Sequence, residues 1–204
     1  MARIAILDAN ALWPQYLRDA LIRAAIFDLY RAAWTERIIE EMRSSLLAKD
    51  RVSPEQIDRT VHFMRTRCAH FMIDGYEDLI PAMTNQVKDR HVLAAAVRAG
   101  ADTIVTYNRK DFPPSSREKY GIDLHTPDQF LAELWATDSS RMARMLVNMA
   151  AGLRTPPLTV HQLIGQRLAG HVPSFAKTAL ASGDLELAEQ AAKDGIPLPD
   201  YRLI

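Results

Sequence analysis

Along the chain, short apolar runs alternate with longer stretches in which apolar residues return every three to four positions. Ile4-Ala-Ile-Leu7 is an apolar run closed by the polar Asp8-Ala-Asn10, the pattern of a buried strand. Residues 12–29 carry a helical pattern with Pro14 near its start, and Arg31-Ala-Ala-Trp34 reads as a second short strand. Thr35 before Glu36 opens a helix predicted to reach Ala48, with Ile38, Ile39, Met42 and Leu46 on one side. Ser53-Pro54-Glu55-Gln56 has the form of a helix start, with Ser as N-cap and Pro in the first turn, and that helix is expected to end near Cys68. His70-Phe-Met-Ile73 reads as a third strand ended by Asp74-Gly75. A helix is predicted over Asp89–Ala99, terminated by Gly100. Asp102–Thr106 and Ile122–His125 read as the remaining strands, with Pro113-Pro114 breaking the chain between them and a helix capped near Thr126-Pro127 following.

Strands that alternate with helices imply parallel pairing through right-handed crossovers. The expected class is therefore α/β, with helices on both faces of a central parallel sheet. After Trp135 the strand pattern ends. Residues 138–204 read as helices separated by Thr155-Pro-Pro157, by Gly170–Pro173 and by Ser182-Gly183. The expected organisation is an α/β domain over residues 1–137 and a helical appendage over 138–204. Met142, Met145 and Met149 fall at helical spacing in that appendage and read as core.

Charge narrows the choice of partners. With 25 basic and 25 acidic side chains, the formal net charge is zero, which argues against a broad electrostatic grip on nucleic acid and leaves room for a local basic groove. The single cysteine, Cys68, allows no intramolecular disulfide and no cysteine-based zinc cage, as in a reducing compartment. The first apolar run stops at Asp8, too short for a signal segment. No stretch approaches the roughly 20 apolar residues of a membrane span. The expected location is the cytoplasm.

Open parallel sheets bind ligands at the carboxyl ends of their strands. Asp8 and Asn10 follow the first strand, and Thr106, Asn108 and Asp111 follow the Thr-Ile-Val run. Asp89 opens a helix toward the same edge, and Glu41 lies nearer the apolar side of its helix than Glu40, which remains an alternative. Each acid also has an ordinary role open to it: a turn residue after a strand, a helix cap, a solvated surface group. Taken together, four carboxylates at one sheet edge repel one another and need a compensating cation or raised pKa values. Oxygen ligands without cysteine or paired histidine favour Mg²⁺ or Mn²⁺ over zinc. His91, without a suitably spaced partner histidine, reads as a packing residue.

These residues form a pattern. Ile-Leu-Asp8-Ala-Asn10-Ala-Leu resembles the opening motif of the PIN domain, and Ile38-Ile-Glu-Glu41-Met resembles its second acidic motif. Lys88-Asp89-Arg-His-Val-Leu resembles the third, and Ala101-Asp-Thr-Ile-Val-Thr106-Tyr-Asn108-Arg-Lys-Asp111-Phe the fourth. The resemblance spans about residues 1–135 and is strongest to bacterial toxins of the VapC type that carry a helical C-terminal extension. It implies a PIN-like three-layer α/β/α fold and a metal-dependent endoribonuclease. Asp8, Glu41, Asp89 and Asp111 would be its metal-binding catalytic acids, and Asn10, Thr106 and Asn108 its supporting polar groups. Some relatives place an acid where Asn108 stands, so Asn108 and Asp111 divide a role that the sequence leaves open, as it does the choice between one metal and two. Arg18, Arg23, Arg109 and Lys110 lie near these motifs and are candidate RNA contacts. The resemblance also implies an RNA substrate, a small antitoxin partner and a homodimer. Two alternatives stay open. One is a PIN-like module that binds RNA or protein without cutting. The other is phosphoryl transfer through an aspartyl phosphate at Asp8, disfavoured because position 10 is Asn rather than a second acid.

Overall fold

A computed structural model describes residues 3–49 and 52–195. The end of the predicted appendage, residues 196–204, lies outside them. In chain order the elements are β1 (Ile4–Leu7), α1 (Ala9–Leu12), α2 (Gln15–Ile26), β2 (Arg31–Ala33), α3 (Glu36–Leu47), α4 (Pro54–Thr66), α5 (Arg90–Ala99), β3 (Thr103–Val105), α6 (Pro114–Arg117) and β4 (Asp123–His125). Then come α7 (Pro127–Thr137), α8 (Ser139–Gly152), α9 (Val160–Gln162), α10 (Pro173–Leu180) and α11 (Asp184–Lys193), with one π-helical stretch, Leu163–Leu168, continuing α9.

The four strands form one parallel sheet in the order β2-β1-β3-β4. Ala5 stands opposite Ala32 on one side and Thr103 on the other, and Ile104 opposite Leu124. Ile6, Leu7, Ile104 and Val105 are fully buried, which is why these runs are continuously apolar rather than alternating. The chain runs from β1 to β2 on one side of the sheet and through β3 to β4 on the other. The order thus reverses between β1 and β3, and a crevice opens at the carboxyl ends of those two strands.

Local chemistry sets most helix ends. The Thr35 hydroxyl accepts from the Ile38 N–H and starts α3, and the Ser53 hydroxyl accepts from Gln56 N–H and starts α4. Gly100 ends α5 at φ 61°, a left-handed conformation that glycine adopts without a Cβ penalty.

Three expectations are corrected. The pattern over residues 12–29 breaks at Trp13-Pro14 into α1 and α2. His70–Ile73 does not form a strand: Ala69–Phe71 is a 3₁₀ turn, and only Trp34 and Met72 make a parallel bridge. Trp34 N–H donates to Phe71 O and Ile73 N–H to Trp34 O, so the backbone groups pair for one step before Asp74-Gly75 turns away. Pro113-Pro114 starts a helix rather than only breaking the chain: Pro114 is the first residue of α6, where its missing N–H costs nothing.

The chain divides into two compact units, Met1–Pro14 with Tyr30–Thr126, and Gln15–Leu29 with Pro127–Ile204. The first holds the whole sheet. Within it α5 packs on β1 and β3, α1 on α3, and α3 on α4. The second is helical. Within it α8 packs against α2, α7 and α11, and α10 against α7. Met142, Met145 and Met149 are fully buried there. The ring of Trp135 meets Phe175 edge-on at 5.9 Å. The division therefore differs from the boundary expected at residue 137, because α2 and α7 find their apolar partners in α8 and α10. Among the described residues no helix is long and apolar enough to cross a membrane.

Candidate active site

Asp8 is the residue after β1 and the N-cap of α1, and it is 3% exposed. Leu7 is in register with Val105, so the next residues, Asp8 and Thr106, leave the sheet side by side. Asp8 Oδ1 accepts from Ala9 N–H at 2.7 Å. Its Oδ2 accepts from the Thr106 hydroxyl and from Asn10 Nδ2, each at 2.6 Å. Asn10 Oδ1 in turn accepts from Tyr107 N–H at 2.9 Å, and Thr106 Oγ1 accepts from Asn108 N–H at 3.0 Å. Asn10 and Thr106 thus hold the Asp8 carboxylate in one orientation across the β1–β3 junction. Burial pushes the Asp8 pKa up, against the pull of the Thr106 and Ala9 hydrogen bonds.

Glu41 reaches the same edge from α3. Its Oε1 lies 3.1 Å from Arg37 Nε, one turn earlier, and 3.1 Å from Nε2 of His91 on α5. The His91 side chain is fully buried, so this contact pins Glu41 to the first turn of α5. Half-burial raises the Glu41 pKa, but the hydrogen bonds and charge of His91 and Arg37 outweigh it and leave it lowered. Glu40, the alternative, also lines the cleft described below but is ion-paired with Arg65 of α4.

Asp89 ends a 3₁₀ turn, Val87–Asp89, that leads directly into α5, and Asp111 ends a second one, Arg109–Asp111, after β3. Gln86 N–H donates to Asp111 O at 3.1 Å and ties the two turns together. The ammonium of Lys88 lies 3.0 Å from Asp111 Oδ2 and 3.6 Å from Asp89 Oδ2. Burial raises the pKa of Asp89 to about 6; Lys88 opposes this, and the neighbouring Asp8 and Asp111 add to it. Lys88 holds Asp111 below the usual carboxylate range, and Asp111 in turn raises Lys88.

Asp8, Asn10, Glu41, Asp89 and Asn108 line one cleft of about 760 Å³, together with Trp13, Arg37 and Lys49. Asp111 adjoins it through Asp89. The chemistry of this donor set fits a hard divalent cation: the cleft offers carboxylate oxygens, and the buried Asp89 Oδ2 has no hydrogen-bond partner among the described residues. Burial raises the pKa values of Asp8 and Asp89, and neighbouring acids add to it, a penalty on the ionised carboxylates that a cation would relieve. As the side chains stand, no three acids or histidines among the described residues are close enough to hold an ion by themselves. The positive charge beside Asp89 and Asp111 is that of Lys88.

Comparison with known proteins adds two similarities. Residues 127–181, from α7 to α10, match the family model of the VapC50 C-terminal domain. The chain is also 43% identical over 105 residues to a Mycobacterium tuberculosis protein, a supposed ribonuclease named VapC50. That match covers 52% of this chain and 62% of the relative, less than two thirds of its length. No solved structure gives a significant match. Over residues 127–181 the chain is thus similar to the VapC50 C-terminal domain, and over 105 residues to this relative. The chain's PIN-like α/β sheet and its helical C-terminal part are those described above.

Of the basic residues singled out in the sequence, two are unavailable as surface contacts. Arg18 and Arg23 are buried among the helices of the second unit. Arg23 Nε donates to Asp19 at 2.7 Å and its NH1 to Asn148 at 2.8 Å. A helical pattern alone does not distinguish an arginine held by an internal acid from one facing solvent. Arg109 and Lys110 are exposed on the turn after β3 and do not line the cleft. The basic groups that do line it are Arg37 and Lys49. Arg37 was legible as the partner one turn before Glu41, and Lys88 and His91 flank Asp89 in sequence. Nothing local marked Trp13 or Lys49.

Proposed function

We propose that this chain is a divalent-metal-dependent endoribonuclease that hydrolyses phosphodiester bonds in RNA, the toxin of a toxin–antitoxin pair. The observation that carries this reading is the gathering of Asp8, Glu41 and Asp89, from three separate elements, around one open cleft at the switch point of the sheet. The name of the Mycobacterium tuberculosis relative supports it.

Asp8, Asp89 and Glu41 would hold Mg²⁺ or Mn²⁺, with Asp111 behind Asp89. When bound, the cation supplies Lewis-acid polarisation of the phosphate and lowers the pKa of water. Asn10 and Thr106 fix the Asp8 carboxylate toward the cleft. Arg37 and His91 keep Glu41 ionised and oriented. Arg37 and Lys49 bring positive charge to the walls, where a phosphate chain needs it despite a net charge of zero. The antitoxin would be a small protein that covers this cleft, and this chain is expected to form a homodimer.

The test is cleavage of RNA in Mg²⁺ by the full chain and by Asp8→Asn. Asp8→Asn is expected to keep its fold and lose cleavage to background. Cleavage that persists in this variant removes the reading. The rival is a silent RNA- or protein-binding module, and it predicts no rise in melting temperature when Mn²⁺ is added, whereas an intact site predicts one.

A further inference from the structure

The cleft extends beyond the acids along the end of α3. Trp13, the residue after α1, lines it half-buried, and the ammonium of Lys49 stands 4.4 Å from the centre of its ring. Ser44 and Ser45 line the same part of the wall. We propose that the face of Trp13 is a stacking subsite for one unpaired nucleobase of the RNA that enters the cleft, with Lys49 as the partner of its phosphate. The proposal rests on the ribonuclease reading and names the part of the substrate that this wall takes.

The geometry supports it in three ways. The side chain that stands over the ring is that of an exposed lysine, which a planar group can displace. The lysine then keeps its charge within reach of the backbone of the same nucleotide. Lys49 and Arg37 also place positive charge on this wall, beside Glu40 and Glu41, for the phosphate that carries the base. A base inside a duplex has both faces stacked and cannot use the ring, so the subsite requires single-stranded RNA. Aromatic stacking accepts any base, so the subsite would set affinity and strandedness rather than sequence.

The experiment uses the full chain carrying Asp8→Asn, titrated with a short single-stranded oligoribonucleotide and with the same sequence as a duplex, read by tryptophan fluorescence. The single strand is expected to quench the emission and the duplex not to. The quench should disappear in the Asp8→Asn, Trp13→Phe chain, which retains an aromatic face and the fold. In the otherwise native chain, Trp13→Ala is expected to raise KM for single-stranded RNA about tenfold, with Trp13→Phe between it and the native chain. If the single strand binds but Trp13→Phe leaves the quench intact and Trp13→Ala leaves KM unchanged, the subsite is wrong and the nuclease reading survives. Quenching by an arginine-rich peptide and not by RNA also overturns it, in favour of a protein partner. Quenching by single-stranded RNA in a native chain that never cuts keeps the subsite and retires the nuclease reading.

Discussion

Lys88 and Asp111 form an ion pair of 3.0 Å at the rear of the acid cluster, and the same ammonium stands 3.6 Å from Asp89. Part of the charge that a divalent cation would neutralise is therefore already balanced by the protein. Such an ammonium competes with a metal for the same oxygens. Lys88→Gln is expected to lower the Mn²⁺ concentration at the midpoint of the thermal stabilisation curve severalfold. A midpoint that rises instead would mean that Lys88 holds the two carboxylates in place for the ion.

The pH dependence of the metal-free chain follows from Asp89, whose pKa stands at about 6 against an ordinary 3.8. A carboxyl with a raised folded pKa contributes stability that is present below its unfolded value and is lost as pH rises through the folded one. Asp89→Asn removes that titration. With a chelator present, the melting temperature of the native chain relative to Asp89→Asn should fall between pH 4 and pH 7. Saturating Mn²⁺ should cancel the fall. A difference that stays flat across this range contradicts the burial of Asp89 beside Asp8 and Asp111.

His91 offers a second check, on position rather than charge. Its ring is buried and meets Glu41 at 3.1 Å. His91→Ala leaves a void and a carboxylate held only by Arg37, and should cost about 1–3 kcal/mol. That corresponds to a drop of several degrees in Tm for a chain of this size. His91→Gln, which keeps an N–H donor, should recover much of it. Equal losses in both variants would show that the contact with Glu41 contributes nothing.

The helical unit can be tested at Asp128. Its carboxylate on α7 accepts from Phe175 N–H at 2.9 Å and Ser174 N–H at 3.2 Å, so a side chain distant in sequence caps α10. Asp128→Ala should destabilise the chain by about 1 kcal/mol, a typical helix-cap loss. Thermal melting should show a decrease of about 2–4 °C. No change would mean that α10 holds its first turn without this cap.

Much of the architecture is written in short-range signals. The apolar runs Ile4–Leu7 and Thr103–Val105 make strands because they are continuous and short, and Thr35, Ser53 and Gly100 end helices through hydrogen bonds and backbone freedom within a few residues. The placement of Asp8 and Thr106 just past two strands was legible for the same reason: their position follows from where each run stops. His70–Ile73 was misread because a strand needs a partner for more than one step, and no pattern inside four residues reveals whether one exists. Arg18 and Arg23 were read as surface groups because the helical pattern does not show that this side of α2 is covered; Arg23 is buried with Asp19 one turn away, and Asn148 on α8 accepts a further hydrogen bond from it. The sequence by itself determined most of the strands and helices and placed Asp8 and Thr106 just past two strands, since these depend on neighbours along the chain. Tertiary structure decided which groups surround the acids: Lys88 against Asp111, His91 against Glu41, and Trp13 with Lys49 on the wall. Those pairings depend on packing between distant segments, which no local pattern encodes.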